Sequence, residues 1–178
     1  GTSGDDQAQF VAPDGAGGAF VGGVTDGSLG GPNAGSVDAW LARHDGAGNR
    51  LWILQLGTSS PDSATSGTSD GTGGLFWGGL SLGDLGAPGW DGGSAWLARS
   101  DSAGGLTWIR QFGSTESVFT EVTAEDGAGG VFVGGDTTGN FGGPSQGGTD
   151  TWLARYDALG NRTWLTQIGT GWEDFPVV

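Results

Sequence analysis

Apolar residues in this chain fall in short runs separated by polar, glycine-rich stretches, and the runs return at a fixed interval. In the first stretch they occupy roughly 6–13, 18–25, 37–44 and 50–56. Runs of this length, bounded by Gly, Asp, Asn and Ser, read as β-strands. No segment sustains an apolar spacing of 3.6 residues, and glycine interrupts every window long enough for a helix. The pattern predicts an all-β chain.

The interval is 56 residues. Gly1-Thr2-Ser3, Gly57-Thr58-Ser59, Gly113-Ser114-Thr115 and Gly169-Thr170 open four segments with no insertion or deletion between them. Three full copies span 1–56, 57–112 and 113–168, and 169–178 begin a fourth. Of the 56 positions, 19 are identical in all three full copies, so the chain is one tandem-repeat domain rather than three unrelated pieces.

The unvarying positions form two clusters. In the first, Asp14, Asp70 and Asp126 each precede a Gly-x-Gly-Gly-x-Phe-x-Gly-Gly run, the chemistry of a hairpin turn leading into a strand. The second is Trp-Leu-Ala-Arg-x-Asp-x-x-Gly, followed by Trp and Gln. It contains Trp40, Arg43, Asp45 and Trp52, then Trp96, Arg99, Asp101 and Trp108, then Trp152, Arg155, Asp157 and Trp164. Each copy therefore predicts two hairpins, or four strands. Both tryptophans of each copy are expected to be largely buried. The three arginines should form repeated ion pairs with unvarying acids, because a half-buried guanidinium needs a carboxylate or carbonyls.

A four-stranded meander recurring at such a period is the signature of a β-propeller blade. The columns resemble the SBBP family of bacterial propeller repeats: Gly-Thr-Ser, then Asp-x-x-Gly with Phe or Tyr and a following Gly, then Asp-Ala-(Trp or Phe)-Leu-Ala-(Arg or Lys)-x-Asp-x-x-Gly-Asn, then Trp-x-x-Gln-(Phe or Leu)-Gly. Asp38 to Asn49 with Trp52 to Gly57 fit that pattern, and Asp150 to Asn161 with Trp164 to Gly169 fit it closely, with Thr151 in place of the Ala and Ile168 at the Phe-or-Leu position. The middle copy departs at Ser94 and Gly105. The resemblance implies an exported scaffold without shared catalytic chemistry. Three blades would leave two apolar faces uncovered, so the expected state is an excerpt of a longer propeller or an assembly of copies. The chain opens on Gly1 without an initiator Met, which also predicts a processed or excerpted product. The segment 169–178, with Phe175, Val177 and Val178, is expected to pair as a strand with a neighbouring sheet. Three four-stranded repeats also describe a threefold β-trefoil-like closure, the alternative fold.

Composition narrows the function. The net charge of −14 rests on twenty acids against six arginines, which disfavours nucleic acid and anionic membrane surfaces as partners. Cysteine is absent and His44 is the single histidine, so nucleophile–His systems and zinc sites lack material. The Asp-Gly-x-Gly-Gly runs lead into strands, whereas phosphate loops lead into helices. Ser100-Asp101 with Gly104 and Thr107-Trp108 is similar to the sialidase Asp-box, but its Asp-to-Gly spacing is one residue too long. The chain also has one tyrosine, Tyr156. No apolar run is long enough for a transmembrane helix.

Two sets of copy-specific residues remain. Trp77, Trp90 and Trp172 stand where the other copies carry small or polar residues or valine; they would stack on a glycan or protein partner, or fill asymmetric gaps. Asp5 and Asp6, with Glu173 and Asp174 in the corresponding loop of the fourth copy, would supply oxygens to Ca²⁺, the one cofactor the sequence suggests. The reading favoured is a non-catalytic extracellular or cell-surface module, assembling with further copies of itself or with other domains of a longer chain. The alternative is a lectin-like or calcium-dependent ligand-binding propeller.

Overall fold

The computed structural model describes residues 1–86 and 93–174. Trp90, Phe175, Val177 and Val178 lie outside the described residues. The chain forms β1 (Asp6–Pro13), β2 (Ala19–Thr25), β3 (Asp38–His44) and β4 (Arg50–Leu56) in the first copy. The second copy gives β5 (Asp62–Ser69), β6 (Leu75–Ser81), β7 (Ser94–Ser100) and β8 (Leu106–Phe112). The third gives β9 (Val122–Glu125), β10 (Val131–Thr137), β11 (Asp150–Tyr156) and β12 (Arg162–Ile168). Each set is a separate antiparallel meander paired in chain order. The pairing of named strands never passes from one copy to the next, as a trefoil-like barrel would require.

The strand boundaries follow the predicted ones to within a residue in the first copy. The third copy differs in its first strand, since β9 has four residues where β1 and β5 have eight. In the first two sheets the register slips between Ala8 and Phe10 and between Ala64 and Ser66. At the same column of the third sheet the ladder breaks off. It continues as Val118 bridging Thr137 and as the Phe119, Glu121 and Thr138 amides donating to the Asp136, Gly134 and Ser117 carbonyls. The expected strand at 169–178 is not found among its described residues. Gly169 to Asp174 instead run beside β11, where the Asp174 amide donates to the Thr149 carbonyl and the Thr151 hydroxyl to the Asp174 carbonyl.

Side chains alternate between the two faces of a strand, and each sheet uses both. Toward the following copy the first sheet presents Phe20, Ala39 and Leu41, with Trp52, Leu54 and Leu56 at its outer strand. Against them pack Leu75, Trp77, Trp96 and Ala98 of the second sheet. The second sheet repeats the arrangement, setting Phe76, Ala95, Leu97 and Phe112 against Val131, Val133, Trp152, Ala154 and Tyr156. The core is thus two layers between three sheets. Strands β1, β5 and β9, the first of each sheet, lie against one another. Trp40, Trp96 and Trp152 are all buried as expected, each indole N–H finding a backbone carbonyl.

Candidate functional site

The unvarying acids are spent on the backbone. One carboxylate oxygen of Asp14 accepts from the Ala16 and Gly18 amides, at 2.8 and 2.7 Å, and closes the β1–β2 turn. The other oxygen accepts from Arg43 Nε and Nη2, at 3.0 and 2.9 Å. The Asp70–Arg99 and Asp126–Arg155 pairs repeat this contact. The Ala16 amide, then the Arg43 guanidinium, hold the Asp14 carboxyl below the usual carboxylate range. Burial pushes Asp70 upward, yet bonds from the Thr72 amide and Arg99 outweigh it and its pKa is lowered. Asp45, Asp101 and Asp157 cap the β3–β4, β7–β8 and β11–β12 turns in the same way. The unvarying Gln55 accepts from the Leu29 and Gly30 amides and donates to the Gly27 carbonyl, tying down the β2–β3 loop. Gln111 and Gln167 do likewise. None of these groups is free for chemistry on a ligand.

Of the copy-specific tryptophans, Trp77 and Trp172 lie among the described residues, in opposite environments. Trp77 is not in a loop: it sits at the centre of β6, fully buried, edge-on to Trp96 at 4.9 Å between ring centroids. Its indole N–H donates to the Ser100 hydroxyl at 3.0 Å. The bulk of Trp77 is matched by a small Ser100, whereas the third sheet pairs Val133 with the large Tyr156 on the same face. Trp77 is therefore a packing residue, and an open stacking role for it is corrected. Trp172 is 82% exposed.

Two of the four acidic loop residues are likewise engaged locally. The Asp6 carboxylate takes the Thr2 amide and the hydroxyls of Thr2 and Thr25, while the Asp174 carboxylate takes the Thr170 amide and hydroxyl. The Thr25 bond comes first in lowering the Asp6 pKa. Asp5 and Glu173 are exposed. Among the described residues, no three His, Cys, Asp or Glu side chains converge on a point where a metal could sit. Tyr156 stacks on Phe112, and burial pushes its phenol up to about 12, opposite to what activating a nucleophile requires.

What the geometry does leave open is two sheet faces. Phe20 and Phe76 are fully buried, but their counterpart Phe132 is half-buried; Leu41 and Leu97 are fully buried, and Leu153 is half-buried. Phe112 is 8% exposed, and its counterpart Ile168 is 61% exposed. The forward face of the third sheet thus presents the columns that the first and second sheets pack inside the chain, with Thr151 in the column of Ala39 and Ala95 and Asp136 in that of Val24 and Leu80. Conversely, Leu75 with Trp77 and Val131 with Val133 are fully buried on the backward faces, while Ala19 and Val21 of the first sheet are half-buried. A groove on that backward face is lined by Leu29, Trp40, Ala42, His44 and Ile53 together with Gly1 and the charged Asp6 and Arg50.

The outer tryptophans report the same difference. Trp52 donates its indole N–H to the Ser102 carbonyl at 3.0 Å, and Trp108 to the Ala158 carbonyl at 3.0 Å, each in the next copy's outer hairpin. Arg43 and Arg99 send a second N–H to those same two carbonyls. Trp164 meets no such hairpin and is 40% exposed. The expectation that all three outer tryptophans are largely buried is corrected: Trp52 and Trp108 are half-buried by the next copy's turn, and Trp164 is not. The 56-residue period signalled the repeat but not these faces. Comparing burial column by column exposes them. No protein-family model matches the chain, and no curated protein does.

Proposed function

We propose that the chain is a non-catalytic assembly module, a set of propeller blades whose function is to present sheet faces to further blades outside the cytoplasm. The observation that carries this reading is the pair of open faces, each of them the counterpart of a face packed inside the chain. Large apolar side chains left exposed together on a sheet face, here Trp164 and Ile168, mark an interaction site. The unvarying polar residues point the same way, since turns and loops consume their hydrogen-bonding capacity. The blade assignment rests on the four-stranded meander, its period and the contact of first strands β1, β5 and β9. Placement outside the cytoplasm rests on the likeness to SBBP repeats.

Exposed Trp172 supports a ligand-binding module as the second reading, with a glycan or Ca²⁺ as ligand. Intrinsic fluorescence separates the two. Titration with a broad glycan panel and with millimolar Ca²⁺ is expected to leave the emission flat. A saturable response that Trp172→Ala removes would overturn the assembly reading in favour of ligand binding.

A further inference from the structure

From the match between the two open faces we infer that the partner is a second copy of this chain, docked head to tail, the forward face of the third sheet of one copy lying on the backward face of the first sheet of the other. This deepens the assembly reading and rests on it. Between sheets one and two, and again between two and three, the chain builds one contact from the same columns. An outer tryptophan donates to a hairpin carbonyl, and its ring lies against the hairpin glycine. An added Cβ on Gly104 would come within 2.9 Å of the Trp52 ring, and one on Gly160 within 2.9 Å of the Trp108 ring. Both glycines have positive φ, 87° and 77°.

Continuing the operation leaves one donor and one acceptor. The donor is Trp164, with Arg155 beside it. The acceptor is the first copy's hairpin, where Gly46 occupies the column of Ser102 and Ala158. Gly48 there has the same positive φ of 84° and nothing within 4 Å of an added Cβ. The turn is formed in the shape its counterparts use to receive a tryptophan, and it is empty. Side-chain volumes agree as well. A buried backward face carries either Trp77 with Ser100 or Val133 with Tyr156, a large residue traded against a small one. The open face carries Val21 with His44, the second arrangement. Phe112 stacks on Tyr156 with centroids 5.6 Å apart, so Ile168 of one copy would meet His44 of the other.

Two copies would bring together six sheets, within the range of roughly four to eight at which propellers close. The contact is heterologous, each face meeting the other kind. Each copy carries −14, so long-range repulsion opposes an apolar contact and added salt strengthens the pairing.

The experiment is light scattering on the 178-residue chain, expected to give twice 17.8 kDa. Trp164→Arg and Val21→Asp should each give monomers. Mixing the two variants restores one intact contact, so the doubled mass should partly return. Because the chain has no cysteine, a disulfide trap gives an independent readout if either variant fails to fold. Ile168→Cys with His44→Cys should cross-link copies under mild oxidation, and Ile168→Cys alone should not. A wild-type mass of 17.8 kDa at all concentrations would overturn the inference, as would dimers unaffected by both face variants or cross-linking by Ile168→Cys alone. The fluorescence titration reads out the assembly proposal separately, so the two can fail independently.

Discussion

Trp108 and Trp164 occupy the same column of the repeat, on strands that pair in the same register with their neighbours. Trp108 donates to the Ala158 carbonyl, lies against Gly160 and packs on Phe76 at 5.9 Å; Trp164 packs on Phe132 at 6.0 Å and has neither of the other two contacts. The local sequence is nearly the same, and so is the strand. What differs is whether another hairpin stands in front of the ring. For the outer tryptophan, then, burial belongs to the interface between units more than to the unit that carries it, whereas Trp40 is only 8% exposed with no sheet in front of it. Stability of a stacked repeat is approximately a sum of unit and interface terms.

The largest expected effect tests that division. Trp96→Ala removes a fully buried side chain from between the first and second sheets and should cost about 3–5 kcal/mol in denaturant unfolding of dilute protein. Trp164→Ala, at a residue of the same type in the same fold, should cost under about 1 kcal/mol. Equal losses would mean that the two sites share an environment, and the distinction between covered and open faces would fail.

Sequence reasoning read the repeat, the strand boundaries and the turn acids because each is a local property. Asp45 followed by Gly48 specifies a hairpin wherever it occurs, and a 56-residue period is visible without a structure. Trp77 was legible only as a departure from Val21 and Val133. That the departure is a core exchange matched by Ser100 depends on which side chains share a face across β6 and β7. Trp164 could not be distinguished from Trp52 at all, since the chain carries the same residue in both places. Asp136 was visible as an acid in the column of Val24 and Leu80, but that it is only 7% exposed, on the same face of β10 as half-buried Phe132, emerges only in the structure.

A middle-sized effect concerns the turn that receives the tryptophan. Gly104 and Gly48 both have positive φ, so Ala at either site bears backbone strain of about 1–2 kcal/mol. Only at Gly104 does the new methyl also collide with an indole, adding a packing penalty of about 1–3 kcal/mol. Gly104→Ala should therefore lower the Tm of dilute protein more than Gly48→Ala does. Concentrating the protein until copies pair should add to the loss at Gly48, because a partner's Trp164 then faces the methyl. If the two variants melt together at every concentration, Gly48 does not receive a ring.

The smallest effect compares Leu80 with Asp136, the same column in the second and third sheets. Burial first, then the neighbouring Glu121 carboxylate, push the Asp136 carboxyl from 3.8 up to about 6. A carboxyl whose folded pKa is raised binds its proton more tightly in the native state. Its destabilising contribution is absent below pH 3.8, grows between about 4 and 6, and is complete above 6. Asp62 is also raised, chiefly by burial, and adds a slope of the same sign. Asp14, Asp45, Asp126 and Asp157 are lowered, so their stabilisation is present above the usual carboxylate range and is lost as acid titrates them. The wild-type chain should accordingly be most stable in mildly acidic solution. Asp136→Asn isolates one contribution, since the other acids remain in both proteins. With solvent screening at the half-exposed Glu121, the gain at pH 7 should be about 1 kcal/mol, shrinking to nothing by pH 4. Unfolding curves at pH 4, 5, 6 and 7 measure it. A difference between variant and wild type that stays constant over that range would mean that the acid in this column does not titrate between its folded and unfolded values. Asp136 would then act as a polar filler where the second sheet carries Leu80, and the cost of placing it there would be one of packing alone.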